Sequence, residues 1–137
     1  MTSSNAINPP EDGTPNLNGM RILLVEDSWH LGTALKSLLQ AWGAEVVGPV
    51  ATVIAAEASM AERRPDVALV DFNLRGGERA DRLINRLHDQ AVSVIVTSGY
   101  AALPVAAEKV MAVLQKPIDE AELIKSLRPL ARAKVDR

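Results

Sequence analysis

Five polar residues of this chain could do chemistry together if the fold brings them to one place. The acidic pair Glu26-Asp27 follows a short apolar run, and Asp71 follows another. Thr97 follows a third run, and Lys116 with Pro117 closes a fourth. Three carboxylates held close together repel and raise one another's pKa. A divalent cation removes that conflict. Mg2+ is the natural choice, because it takes oxygen ligands, keeps several waters, and uses one or two carboxylates plus phosphate oxygen. A carboxylate is also a nucleophile toward phosphorus, giving an aspartyl phosphate. A Lys ammonium and a Thr hydroxyl would hold oxygens of the incoming group.

Each residue also has a plainer reading. Asp27 could cap a helix. Asp71 could be a turn residue, yet Ala68-Leu69-Val70 before it carry no turn signal. Thr97 could be an ordinary β-branched strand residue, and Lys116 a solvated side chain, although it ends an apolar run. The full set, in order, favours the functional reading of each. His30 and His88 lack the partner spacing of a metal site and read as surface residues. Trp42 lies on an apolar stripe and reads as core, while Trp29, two residues past Asp27, reads as a rim side chain.

The elements that must position these residues alternate in kind. Short apolar runs occupy residues 22–25, 45–50, 67–70, 92–96 and 111–114. Helical patterns lie between them. Leu31, Ala34, Leu35, Leu38, Leu39 and Trp42 form one stripe. Val53, Ala56, Met60 and Ala61 form a second, and Ala80, Leu83, Ile84 and Leu87 a third. Residues 103–110 form a short Ala-rich fourth. Asp119 caps the last, with Glu122 three residues on, before Leu123, Leu127 and Leu130. Five strands alternating with five helices predict a parallel sheet covered on both faces. Ligands of such sheets bind beyond the carboxyl ends of the strands. Four of the five ends carry the polar groups above; the second, near Gly48-Pro49, carries nothing chemically suggestive.

Composition bounds the rest. The 137 residues suit one domain, and 47% are apolar while only 3% are aromatic, so aliphatic side chains must fill the core. The net charge of −2 comes from Glu11 and Asp12 in a polar tail, leaving the body neutral. A neutral body argues against DNA binding, which needs a basic face. The chain has no Cys, no secretory signal and no apolar run long enough to span a membrane. A cytoplasmic protein is expected. Residues 1–19 read as a disordered tail, residues 20–132 as the domain, and residues 133–137 as a C-terminal tail.

The order Glu26-Asp27, Asp71, Thr97, Lys116-Pro117 resembles the receiver domains of bacterial response regulators. The resemblance implies a CheY-like, flavodoxin-like doubly wound (βα)5 fold and a phosphorelay role. It makes Asp71 the phosphoacceptor. Glu26, Asp27, Asp71 and the backbone carbonyl of Asn73 become the Mg2+ ligands. Thr97 becomes the switch hydroxyl, Lys116 the partner of the phosphoryl group, and Lys116-Pro117 a cis peptide. A histidine kinase is the implied donor, and the protein would catalyse only its own phosphoryl transfer and dephosphorylation. No output domain follows in the sequence, so output is expected through a protein partner or onward phosphotransfer. Typical receivers carry an aromatic three residues before the Lys; here Val113 stands there. With Thr97-Ser98-Gly99-Tyr100, this departure resembles an alphaproteobacterial variant group called FATGUY, and suggests that Tyr100 replaces the missing aromatic switch.

Two other classes compete. A phosphatase of the haloacid-dehalogenase type needs a second Asp two residues after its nucleophile, where this chain has Asn73. A phosphorylation-independent interaction module on the same scaffold has no need of the intact acidic set.

Overall fold

The computed structural model describes residues 15–74, 80–99 and 107–135. Five strands form one parallel sheet: β1 (Arg21–Val25), β2 (Glu45–Val50), β3 (Val67–Asp71), β4 (Ser93–Ser98) and β5 (Ala112–Gln115), in the order β2-β1-β3-β4-β5. Among the described residues four α-helices cover it: α1 (Trp29–Ala41), α2 (Val53–Glu62), α3 (Asp81–Asp89) and α4 (Glu120–Val135). This is the doubly wound architecture expected from the alternation.

The inner strands β1, β3 and β4 are largely apolar because both their faces are buried. Leu23, Val25, Ala68, Val70, Val94 and Val96 point to the side of α2 and α3, where Val53, Ala56, Met60, Leu83, Ile84 and Leu87 meet them. Ile22, Leu24, Val67, Leu69 and Ile95 point the other way, onto Leu35 and Leu39 of α1 and Leu123 and Leu127 of α4. The period-two alternation of the strands thus feeds two cores. Trp42 ends α1 half-buried against the second.

Three boundaries differ from expectation. The tail expected to run to Gly19 is anchored earlier. Leu17 is fully buried, and its N–H donates to the Trp42 carbonyl at 2.7 Å. One apolar side chain in a polar stretch is enough when it finds a slot at the end of α1. At the other end, α4 continues to Val135, past the expected limit at residue 132, through Ala131, Arg132, Ala133 and Lys134, all good helix formers. The expected fourth helix, residues 103–110, lies partly outside the described residues. Residues 100–106 lie outside them, and the next described element is a single 3-10 turn, Ala107–Lys109.

Candidate functional site

The sheet order reverses between β1 and β3, where neighbouring chain connections leave in opposite directions and open a crevice at the strand ends. Glu26 immediately follows β1, and Asp71 is the last residue of β3. One carboxylate oxygen from each of Glu26, Asp27 and Asp71 lies within 4.8 Å of the others. Glu26 and Asp71 are buried, at 4% and 5% exposure, and Asp27 is half-buried. Lys116, one residue past β5, reaches across β4. Its Nζ stands 3.1 Å from Asp71 Oδ2 and 3.3 Å from Glu26 Oε1. Its own N–H donates to the Ser98 carbonyl at 2.7 Å, which fixes the start of that reach. The Lys116-Pro117 peptide is cis, as the resemblance implied.

Thr97 pairs in register with Asp71 across β3 and β4 and is buried. Its carbonyl accepts from the Phe72 N–H at 2.9 Å. The Asn73 N–H donates to Asp71 Oδ1 at 3.2 Å, folding the β3 loop back over the carboxylate. Among the described residues no buried side-chain nitrogen or oxygen lacks a hydrogen-bond partner. Val113 is 41% exposed on β5, and Tyr100 lies outside the described residues.

The charges act on one another. Burial pushes the Glu26 carboxyl above its ordinary 4.5, and the Asp71 carboxylate adds to the rise; the Ser28 N–H and Lys116 only partly oppose it. For Lys116, burial works to lower the pKa, but the Glu26 and Asp71 carboxylates outweigh it and hold the ammonium above its ordinary 10.5. The arrangement is an acidic pocket with one cation at its wall, suited to a divalent ion and to an anionic group between ion and ammonium.

Sequence reasoning missed Ser28. Its hydroxyl caps α1, accepting from the Leu31 N–H at 3.3 Å, so Asp27 is left to the site rather than to the cap. The Ser28 N–H donates to Glu26 Oε2 at 3.2 Å. The available signal was a Ser directly before a helical stripe. No helix of the described residues is long and apolar enough to cross a membrane.

Comparison with known proteins agrees with this fold. The receiver domain (CheY-like) of a response regulator from Methylobacillus flagellatus superposes with a TM-score of 0.72 at 26% identity, over 81% of this chain and 98% of that one. A response regulator receiver domain protein from Clostridium thermocellum gives 0.72 at 19%, over 84% and 96%. The response regulator PhyR from Brucella abortus gives 0.69 at 22%, over 86% of this chain and 49% of that one. The last two speak for the fold alone. No curated protein matches the chain. The family model described as "Response regulator receiver domain" matches residues 22–128, and the chain belongs to that family.

Proposed function

We propose that this protein is a phosphorylation-dependent switch of a two-component phosphorelay, which takes a phosphoryl group on Asp71 from the phosphohistidine of a histidine kinase. The observation that carries the reading is the placement of Lys116 Nζ against Asp71 and Glu26, opposite a cluster of three carboxylates. Glu26, Asp27, Asp71 and the Asn73 carbonyl would hold Mg2+, which offsets the negative charge of carboxylates and phosphoryl oxygens when bound. An Asp71 oxygen forms the new P–O bond while the P–N bond to the donor breaks. The electron pair returns to the imidazole nitrogen, which takes a proton from solvent. Lys116 and the Thr97 hydroxyl hold phosphoryl oxygens. The protein catalyses only its own phosphoryl gain and loss, and its output passes to a protein partner or to a further phosphotransfer. We place it in the cytoplasm beside such a donor.

A finer reading rests on the sequence alone, in which the FATGUY variant group is its home and Tyr100 does the work of the aromatic that Val113 replaces. The basic test treats the whole protein with a small phosphodonor and Mg2+ and reads intact mass. We expect one added phosphoryl group in the wild type and none in Asp71→Asn. Equal labelling of both would reject the assignment.

A further inference from the structure

β2 is an edge strand with one residue too many. Between Leu23 and Val25 β1 advances two positions, while its partner advances three, from Val47 to Val50. The extra residue is a β-bulge built on Gly48-Pro49. Gly48 has φ +105°, and a Cβ there would stand 2.5 Å from the Leu24 carbonyl oxygen and 2.8 Å from the Val50 nitrogen. Only glycine takes that place without strain. Pro49 has no N–H to leave unpaired, and an edge-strand bulge is where proline is tolerated.

The bulge changes which side chain faces which layer. Val47 and Val50 both pack toward α2 and α3, although residues three apart in an unbroken strand face opposite ways. Pro49 is turned onto α1, where it meets Gly32. A Cβ at Gly32 would lie 2.9 Å from Pro49 Cβ, 3.0 Å from Pro49 Cγ and 3.7 Å from Glu26 Cγ. Glycine inside a helix is worse than alanine for the helix itself, so its place in the first turn of α1 answers to the proline ring.

That contact lies at the root of a chain of hydrogen bonds to Glu26. The Gly32 N–H donates to the Ser28 carbonyl at 2.8 Å, and the Ser28 N–H donates to Glu26 Oε2. From the other side, the Glu26 N–H donates to the carbonyl of Val50, the residue after the bulge, at 2.9 Å. We propose that Gly48-Pro49 and Gly32 form a spacer between β2 and α1 that positions the Glu26 carboxylate for the divalent cation. Neither Gly32 nor Pro49 supplies a ligand atom; both act through Glu26. The proposal rests on the reading of the acidic cluster as a cation site.

Titration calorimetry of Mg2+ into the whole protein tests it. Gly32→Ala weakens Mg2+ binding by about tenfold or more, the usual scale for residues that orient a metal ligand. Gly32→Ala combined with Pro49→Gly recovers most of the loss, because the new methyl fills the space that the Pro49 Cβ and Cγ vacate. Leu39→Ala, fully buried in the far half of α1, lowers the melting temperature and leaves Mg2+ affinity unchanged. If Gly32→Ala and Pro49→Ala bind Mg2+ as the wild type does, the spacer is overturned and the cation site stands. The spacer is also overturned if Leu39→Ala weakens binding equally, since the effect is then general destabilisation. If the folded wild type binds no Mg2+, the cation site itself fails and the spacer falls with it. Should Gly32→Ala not fold, Pro49→Ala decides alone: it loses the brace and binds about tenfold more weakly, or it matches the wild type and the spacer is overturned.

Discussion

The Lys116 ammonium lies between two carboxylates that a divalent cation also claims. Removing it takes away both a competitor and a repelling charge, so Lys116→Met should tighten Mg2+ binding by about tenfold, while labelling by a phosphodonor falls. Calorimetry and mass spectrometry read the two opposite effects; weaker Mg2+ binding in this variant would contradict the competition. Glu26 adds a pH dependence. Its folded-state pKa is raised, so in the metal-free protein its contribution to stability is fully present below 4.5 and is lost as pH rises through the raised value. Mg2+ must displace that proton wherever Glu26 holds it, so binding weakens as pH falls. The rise in melting temperature on adding Mg2+ should therefore be larger at about pH 7 than at about pH 5; an equal rise at both would speak against Glu26 as a ligand. Glu26, Asp27, Asp71 and Lys116 were legible in the sequence because each ends an apolar run and so must lie at a strand end. Ser28 and Gly32 were not, because what they contribute is a backbone N–H and the lack of a side chain. A Ser before a helical stripe reads as a cap, but neither of these two contributions to the site has a signature in residue type alone.

At the level of elements, legibility followed burial. α3 was plain, since Ala80, Leu83, Ile84 and Leu87 are all buried and its outer face is charged. The strands buried on both faces were found within a residue or two, because unbroken apolar runs between helical patterns have few other uses. β2 hid its bulge. The run 45–50 matches β2, but nothing in Gly48-Pro49 shows that the strand carries an extra residue there, where the edge position excuses the missing N–H. The N-terminal boundary failed for a related reason: one Leu among Asn, Pro and Gly has no periodicity to reveal it. Leu17 closes the end of the second core beside Met20 and Leu39, and its N–H pairs with Trp42. Leu17→Ala should lower stability by roughly 2–4 kcal/mol through lost burial and a cavity, measured by denaturant unfolding. A loss within about 0.5 kcal/mol, the range of an ordinary surface substitution, would mean that the segment is no part of the folded unit.

Across the whole molecule, the sheet divides the labour between its two ends. The carboxyl ends of the strands hold the charged site. The opposite end is closed by apolar packing around Leu17 and Met20, with the Arg21–Glu45 pair at its surface. α1 runs from one end to the other, about 20 Å for its 13 residues, and a tryptophan marks each end. Trp29 opens the helix at the rim of the site, 72% exposed, with its ring edge-on to His30 at 5.3 Å. Trp42 closes the helix at the base, half-buried against the core and hydrogen-bonded through its carbonyl to Leu17. The two should report different events. Mg2+ should change the emission of Trp42→Phe, where only Trp29 remains, and leave Trp29→Phe unchanged. Denaturant should change Trp29→Phe strongly, with a midpoint that coincides with loss of helical circular dichroism if the domain unfolds as one unit. A Mg2+ response carried by Trp42 instead would show that cation binding rearranges the base of the fold. The rigid sheet between the two ends argues against that, since a packed core does not deform continuously to pass on a small change at its rim.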